Sequence, residues 1–135
     1  MKKRIVNAMG CLAILALSTT LLSAAPQSDE VMTKENGMYV VNTTTLGKDI
    51  TGYVGPIPVK IYIKKNKVEK VEVLSNQETP KYMAKVKKAL LDKWNGLKVA
   101  DAQKLKVDAV TGATFSSDAL IQNVQLGLDY YKKNK

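Results

Sequence analysis

Val59-Lys60-Ile61-Tyr62-Ile63-Lys64-Lys65-Asn66-Lys67-Val68-Glu69-Lys70-Val71-Glu72-Val73 decides the fold class. Val59, Ile61 and Ile63 alternate with Lys60, Tyr62 and Lys64, the period-two pattern of a strand with one wet face. Lys65-Asn66-Lys67 turns the chain back, since Asn66 tolerates left-handed backbone geometry. Val71 and Val73 alternate with Glu72 and form the partner strand. Lysines opposite glutamates in such a pair read as cross-strand surface charge, not as a binding patch. Upstream, Met38-Tyr39-Val40-Val41-Asn42-Thr43-Thr44-Thr45 is rich in β-branched residues and adds a further strand.

Downstream the period changes. Thr79-Pro80 reads as an N-cap with proline at the first helical position. Tyr82, Met83, Val86, Ala89, Leu90 and Trp94 then recur at three- and four-residue steps, an amphipathic helix ending at Asn95-Gly96. Trp94 keeps that period and is read as a core anchor. Leu97 to Lys106 is a connector, and Ser117 to Tyr131 a second helix with Leu120, Ile121, Val124 and Leu128 facing inward. A small antiparallel sheet packed with two main helices in a single domain is an α+β fold.

Before that last helix stands Val107-Asp108-Ala109-Val110-Thr111-Gly112-Ala113-Thr114-Phe115-Ser116-Ser117. Hydroxyls at Thr111, Thr114, Ser116 and Ser117 crowd around Gly112, which can take a backbone conformation closed to other residues. Ala113 keeps the approach open, and the free N–H groups at the helix start, expected at Ser116 to Asp118, suit a phosphate. Asp118 reads as a first-turn acid favoured by the helix dipole. A plain hydroxyl-rich turn with a serine cap would explain Ser116 and Ser117 alone. The whole string Asp-x-x-[Ser/Thr]-Gly-Ala-[Ser/Thr] should arise by chance in roughly one chain of this length in a thousand.

These residues resemble the FMN-binding domain of the flavinylated electron carriers, a family that includes flavin-bearing components of the sodium-translocating NADH:quinone reductases and of the Rnf complexes. Asp108, Thr111, Gly112, Ala113, Thr114 and Ser116 match that motif without a gap. Upstream, Gly52-Tyr53-Val54-Gly55-Pro56-Ile57, the strand pair and Glu78-Thr79-Pro80 match as well, so the resemblance covers about Gly37 to Lys132. Lys81 stands where members usually have glycine, so the pocket wall is expected to differ there. The resemblance implies FMN as cofactor, joined through its phosphate to Thr114 by a flavin transferase. It also places Glu78 and Thr79 near the ring. Tyr53, Val54 and Phe115 are ring-wall candidates by position, Phe115 being equally readable as the first core residue of the helix. Asp108 would belong to the transferase's recognition site or would orient Thr111.

The chain opens Met1-Lys2-Lys3-Arg4, runs apolar from Ala8 to Leu22 and reaches Ser23-Ala24-Ala25-Pro26. That is the layout of an export signal over 1–25, cut after Ala24, with an uncleaved anchor as the alternative. Cys11 lies within the leader and is lost with it. A linker over 26–36 and an FMN-binding domain over 37–135 follow. Without the leader's three cations, the 21 Lys and Arg fall to 18 against 12 Asp and Glu, a net charge of +6. The absence of histidine removes the commonest general base, most transition-metal ligand sets and the Ser-His and Cys-His nucleophiles. A basic exported surface points to anionic lipid or acidic membrane and extracytoplasmic redox partners, not to nucleic acid. The expectation is an extracytoplasmic electron carrier with no catalytic residue of its own. An exported flavin-dependent reductase and a non-flavin binding module are the alternatives.

Overall fold

The computed structural model describes residues 30–135, so the leader and the start of the expected linker lie outside the described residues. Four strands, β1 (Met32–Glu35), β2 (Met38–Asn42), β3 (Val59–Lys64) and β4 (Lys67–Val73), form an antiparallel sheet in the order β1-β2-β3-β4. Helices α1 (Pro80–Leu90), α2 (Val99–Lys104) and α3 (Thr114–Asn134) follow, with a 3-10 turn at Leu91–Lys93. The α+β class and the antiparallel hairpin at its centre agree with the sequence.

The hairpin closes through Lys65 and Asn66, both left-handed at φ 51° and 66°. That is the two-residue geometry whose twist matches the strands. Val59 faces Val73 and Ile61 faces Val71, but Ile63 faces Val68 because the register shifts between Tyr62 and Ile63. Strict alternation back from Val73 and Val71 would turn Glu69 inward. The bulge absorbs that residue and puts Val68 on the buried face instead. On the wet face Lys60 lies opposite Glu72, the Tyr62 hydroxyl donates to Glu72 at 2.8 Å, and Lys70 Nζ sits 4.7 Å over the Tyr62 ring.

Two expected irregular segments are ordered elements. Met32–Glu35, placed in the 26–36 linker, is strand β1, paired along its length with β2. Asn36 and Gly37, at φ 53° and 79°, make the left-handed turn between them. Within the expected connector, Val99–Lys104 forms α2 and buries Val99 and Ala102. The first long helix is also shorter than its pattern, giving way after Leu90 to the 3-10 turn and then to Gly96.

The core lies between the sheet's inner face and the helices. Val41, Ile57, Ile61, Ile63, Val68, Val86, Leu120, Val124 and Leu128 are fully buried. α3 crosses so close to β3 that a Cβ on Gly127 would fall 2.4 Å from Ile61 Cδ1. Trp94 is completely buried among these residues, as its helical period required, although its indole Nε1 has no hydrogen-bond partner among the described residues. Trp94→Ala should therefore cost about 3–5 kcal/mol by cavity formation. Trp94→Phe should cost clearly less, because no indole hydrogen bond is lost. Urea denaturation of both variants checks this, and equal losses would show that the N–H matters more than the packing.

Candidate functional site

The site is built where α3 begins. Its first residue is Thr114, so the helix opens earlier than the expected Ser116 or Ser117. Ala113 stands at the N-cap with φ −140° and ψ 42°, and no side chain among the described residues caps the helix. The Ser117 N–H is already satisfied by the Ala113 carbonyl at 2.9 Å. The N–H groups of Thr114, Phe115 and Ser116 have no partner among the described residues. The open donors thus begin two residues nearer the N-terminus than expected, and Asp118 lies beyond the first turn. A long helix that leaves these groups uncapped offers N–H donors and the positive end of its dipole to an anion.

The turn before the helix is held from behind. Gly112 has φ +85°, strained for any side chain. The Ala113 N–H donates to the Val110 carbonyl at 2.9 Å. Ser117, fully buried, donates its hydroxyl to the Ala113 carbonyl at 2.7 Å and accepts the Val110 N–H at 3.0 Å. Ser117 therefore shapes the turn from inside the protein and does not reach the surface.

In front of the turn lies a cleft of about 360 Å3 lined by Tyr53, Glu78, Thr79, Tyr82 and the run Gly112 to Ser116, a size suited to a small-molecule site. Tyr53 is 76%, Phe115 64% and Tyr82 44% exposed. With Val54 they are the exposed large apolar side chains of the described residues. The Tyr53 and Phe115 rings lie 6.3 Å apart at 33°. Phe115 stands exposed on the cleft and is not the first core residue of the helix. Thr79 occupies the N-cap position of α1 but makes no side-chain cap bond; its carbonyl accepts the Met83 N–H at 2.9 Å.

Asp108 and Thr111 do not line this cleft. Both are exposed, and no hydrogen bond joins them among the described residues. Asp108 borders a separate hollow of about 480 Å3 together with Leu90, Lys93 and Lys106. Lys81 is exposed on α1 and is not among the lining residues either. Tyr82, in sequence only a member of the apolar stripe of its helix, is a wall of the cleft. It lies three residues after Thr79, and that one-turn step along the same helix face is the signal available for it.

Glu78 ties the site together. It is only 5% exposed. Its Oε1 accepts the Tyr53 N–H at 2.8 Å and the Ser116 hydroxyl, and its Oε2 accepts the Val54 and Gly55 N–H groups at 2.6 and 3.0 Å. Burial pushes its pKa up, but the Ser116 hydroxyl and the three backbone donors outweigh burial and hold the carboxyl below the usual range. A carboxyl with a depressed folded pKa adds stability above its unfolded pKa of about 4.3, and that contribution disappears as pH falls through the folded value. Glu78→Gln should accordingly lower Tm at pH 7 and make it fall less steeply between about pH 5 and 3. Melting curves across that range check it; parallel wild-type and variant curves would remove the carboxylate from the acid transition.

The family model for the FMN-binding domain matches residues 52–129, over half of the chain. The match runs from the glycine that opens the Tyr53 loop, through Glu78 and the turn, to near the end of α3. Comparison with curated proteins and with solved structures returns no match. The elements that build the cleft are thus the elements the family model spans. The chain belongs to the FMN-binding domain family, and FMN is its cofactor.

Proposed function

We propose that this protein is an exported electron carrier whose FMN is held by a phosphoester on Thr114. The observation that carries the reading is the position of Thr114: exposed, at the uncapped first turn of α3, on the rim of an aromatic cleft. FMN fits the residues present. Its anionic phosphate suits the unpartnered N–H groups of Thr114, Phe115 and Ser116. Its flat, largely apolar ring suits a slot walled by Tyr53, Tyr82 and Phe115. When bound, the flavin supplies reversible electron transfer that the side chains themselves cannot.

Attachment forms a bond from Thr114 Oγ to the flavin-side phosphorus of FAD and breaks the pyrophosphate bond. AMP leaves, and the threonine proton passes to a base. A threonine hydroxyl is a weak nucleophile and needs such a base. This chain has no histidine, and the one carboxylate in the cleft already accepts four donors. A separate flavin transferase therefore supplies the base and the FAD. Asp108, exposed beside the turn but outside the cleft, is available for recognition by that enzyme. A covalent link suits an extracytoplasmic protein, because a dissociated cofactor would diffuse away. The leader read over 1–25 directs export, with residues 37–135 as the FMN-binding domain. Among the described residues no helix is long and apolar enough to cross a membrane. The +6 charge without the leader draws the domain toward anionic lipid or acidic membrane and extracytoplasmic redox proteins.

Coexpression with a flavin transferase should place the mass of FMN, less water, on the peptide containing Thr114. The same mass on Thr111 or Ser116 would refute the assignment. Thr114→Val should abolish attachment while changing stability by no more than about 0.5 kcal/mol, since the exchange is near-isosteric at an exposed site. A larger loss relative to unflavinylated wild type would make the hydroxyl structural. Reduction of the flavinylated protein by a membrane fraction should slow as salt rises. Salt-independent rates would remove the electrostatic part, and rapid turnover of a small substrate by the isolated protein would overturn the carrier reading.

A further inference from the structure

The hydrogen bonds of Glu78 leave it unable to do what a carboxylate in a flavin cleft would ordinarily do. A carboxylate has about four lone-pair sites, and four donors occupy them: the N–H groups of Tyr53, Val54 and Gly55 and the hydroxyl of Ser116. It has no acceptor left to offer a bound ring, and as an anion it has no proton to give. Its four donors belong to the two walls of the cleft. Three successive backbone N–H groups closing on one anion form a nest, and the loop that makes this one carries Tyr53. The loop is also pinned by the Gly52 N–H to the Gly55 carbonyl at 2.8 Å and by the bridge between Thr51 and Pro56. It lies directly on the carboxylate: a Cβ on Gly52 would fall 2.6 Å from Glu78 Oε1. The fourth donor, Ser116, adjoins Phe115 and lies two residues from Thr114 in the first turn of α3.

We propose that Glu78 is a positioning residue that acts on bound FMN through Tyr53 and α3, setting the gap between the Tyr53 and Phe115 walls without contacting the flavin itself. This rests on the FMN reading above. It explains why a buried carboxylate with only neutral partners sits beside an anion-binding helix end. The charge is spent on the backbone of the loop, so the carboxylate shapes the slot and leaves the N–H groups of α3 to the phosphate.

A double-mutant cycle on flavinylated protein tests it, with Glu78→Gln, Tyr53→Ala and the two combined. A tyrosine ring against a flavin quenches its fluorescence by electron donation. Each single variant should raise flavin fluorescence several-fold, and the double variant should rise no further than Tyr53→Ala alone, since both act through one wall. Additive rises would mean that Glu78 contacts the flavin directly, and an unchanged Glu78→Gln would mean that it does not set the wall; either result overturns the proposal. Amide exchange on unflavinylated protein gives an independent reading. The amides of Tyr53, Val54 and Gly55 should exchange at least about tenfold faster in Glu78→Gln while those of Ile61 and Ile63 stay protected. Unchanged loop amides would contradict the clamp. Should Glu78→Gln fail to fold, Ser116→Ala removes one donor of four and should move both readouts in the same direction by less; no movement would count against it. If no FMN appears on Thr114, the covalent reading fails, while exchange and the fluorescence of added FMN still decide the role of Glu78.

Discussion

The carboxylate of Glu78 accepts three backbone amides from 23 to 25 residues upstream and one hydroxyl from 38 residues downstream. Those four hydrogen bonds join the Tyr53 loop, the segment entering α1 and the first turn of α3, which share no strand pairing. Hydrogen bonds to a charged acceptor are roughly twice as strong as neutral ones, and a carboxylate inside a protein is tolerated only when so surrounded. The approach of Asn76 to its own backbone, with Oδ1 accepting the Glu78 N–H at 3.0 Å, aims the residue inward. The Tyr53 wall and the α3 wall of the cleft meet at this one carboxylate.

Against that fixed frame stands an element left incomplete. A side-chain cap at a helix N-terminus is worth about 1 kcal/mol, and α3, the longest helix of the described residues, has none. Packing against β2 and β3 through Leu120, Val124 and Leu128 supplies its stability from the middle of the helix instead. The start is thereby free to present N–H groups beside an aromatic slot. The exposed side chains Tyr53, Tyr82 and Phe115 follow the same logic: large apolar groups left in water at the mouth of a cleft mark a binding site. A cofactor with an anionic end and a flat apolar end satisfies both demands at once.

Much of this is legible in the residues. Alternation marks β3 and its partner, helical spacing places Trp94 in the core, and the string from Asp108 to Ser116 leads to the family. The departures have local physical causes. β1 reads as linker because Met32-Thr33-Lys34-Glu35 is short and polar, as befits an edge strand; the Asn36-Gly37 turn is the stronger signal. α2 is too short for periodicity to register. The true start of α3 is hidden because Thr114 is a poor helix former and Ser116 and Ser117 look like caps, yet both serines point their hydroxyls into the protein. The family match singles out Glu78, but its hydrogen bonds have no signature in the sequence: its partners are mostly backbone amides, which every residue but proline carries, and only the fold brings them together.

The proposed seat of FMN is the slot walled by Tyr53, Tyr82 and Phe115, ending at the first turn of α3. Titration of the unflavinylated protein with free FMN, followed through its backbone amide resonances, tests this without requiring attachment. A flavin seated there should shift the amides of Thr114, Phe115 and Ser116 most, with further shifts around Tyr53 and Tyr82. Shifts centred instead on Leu90, Lys93 and Lys106, around the hollow beside Asp108, would contradict it.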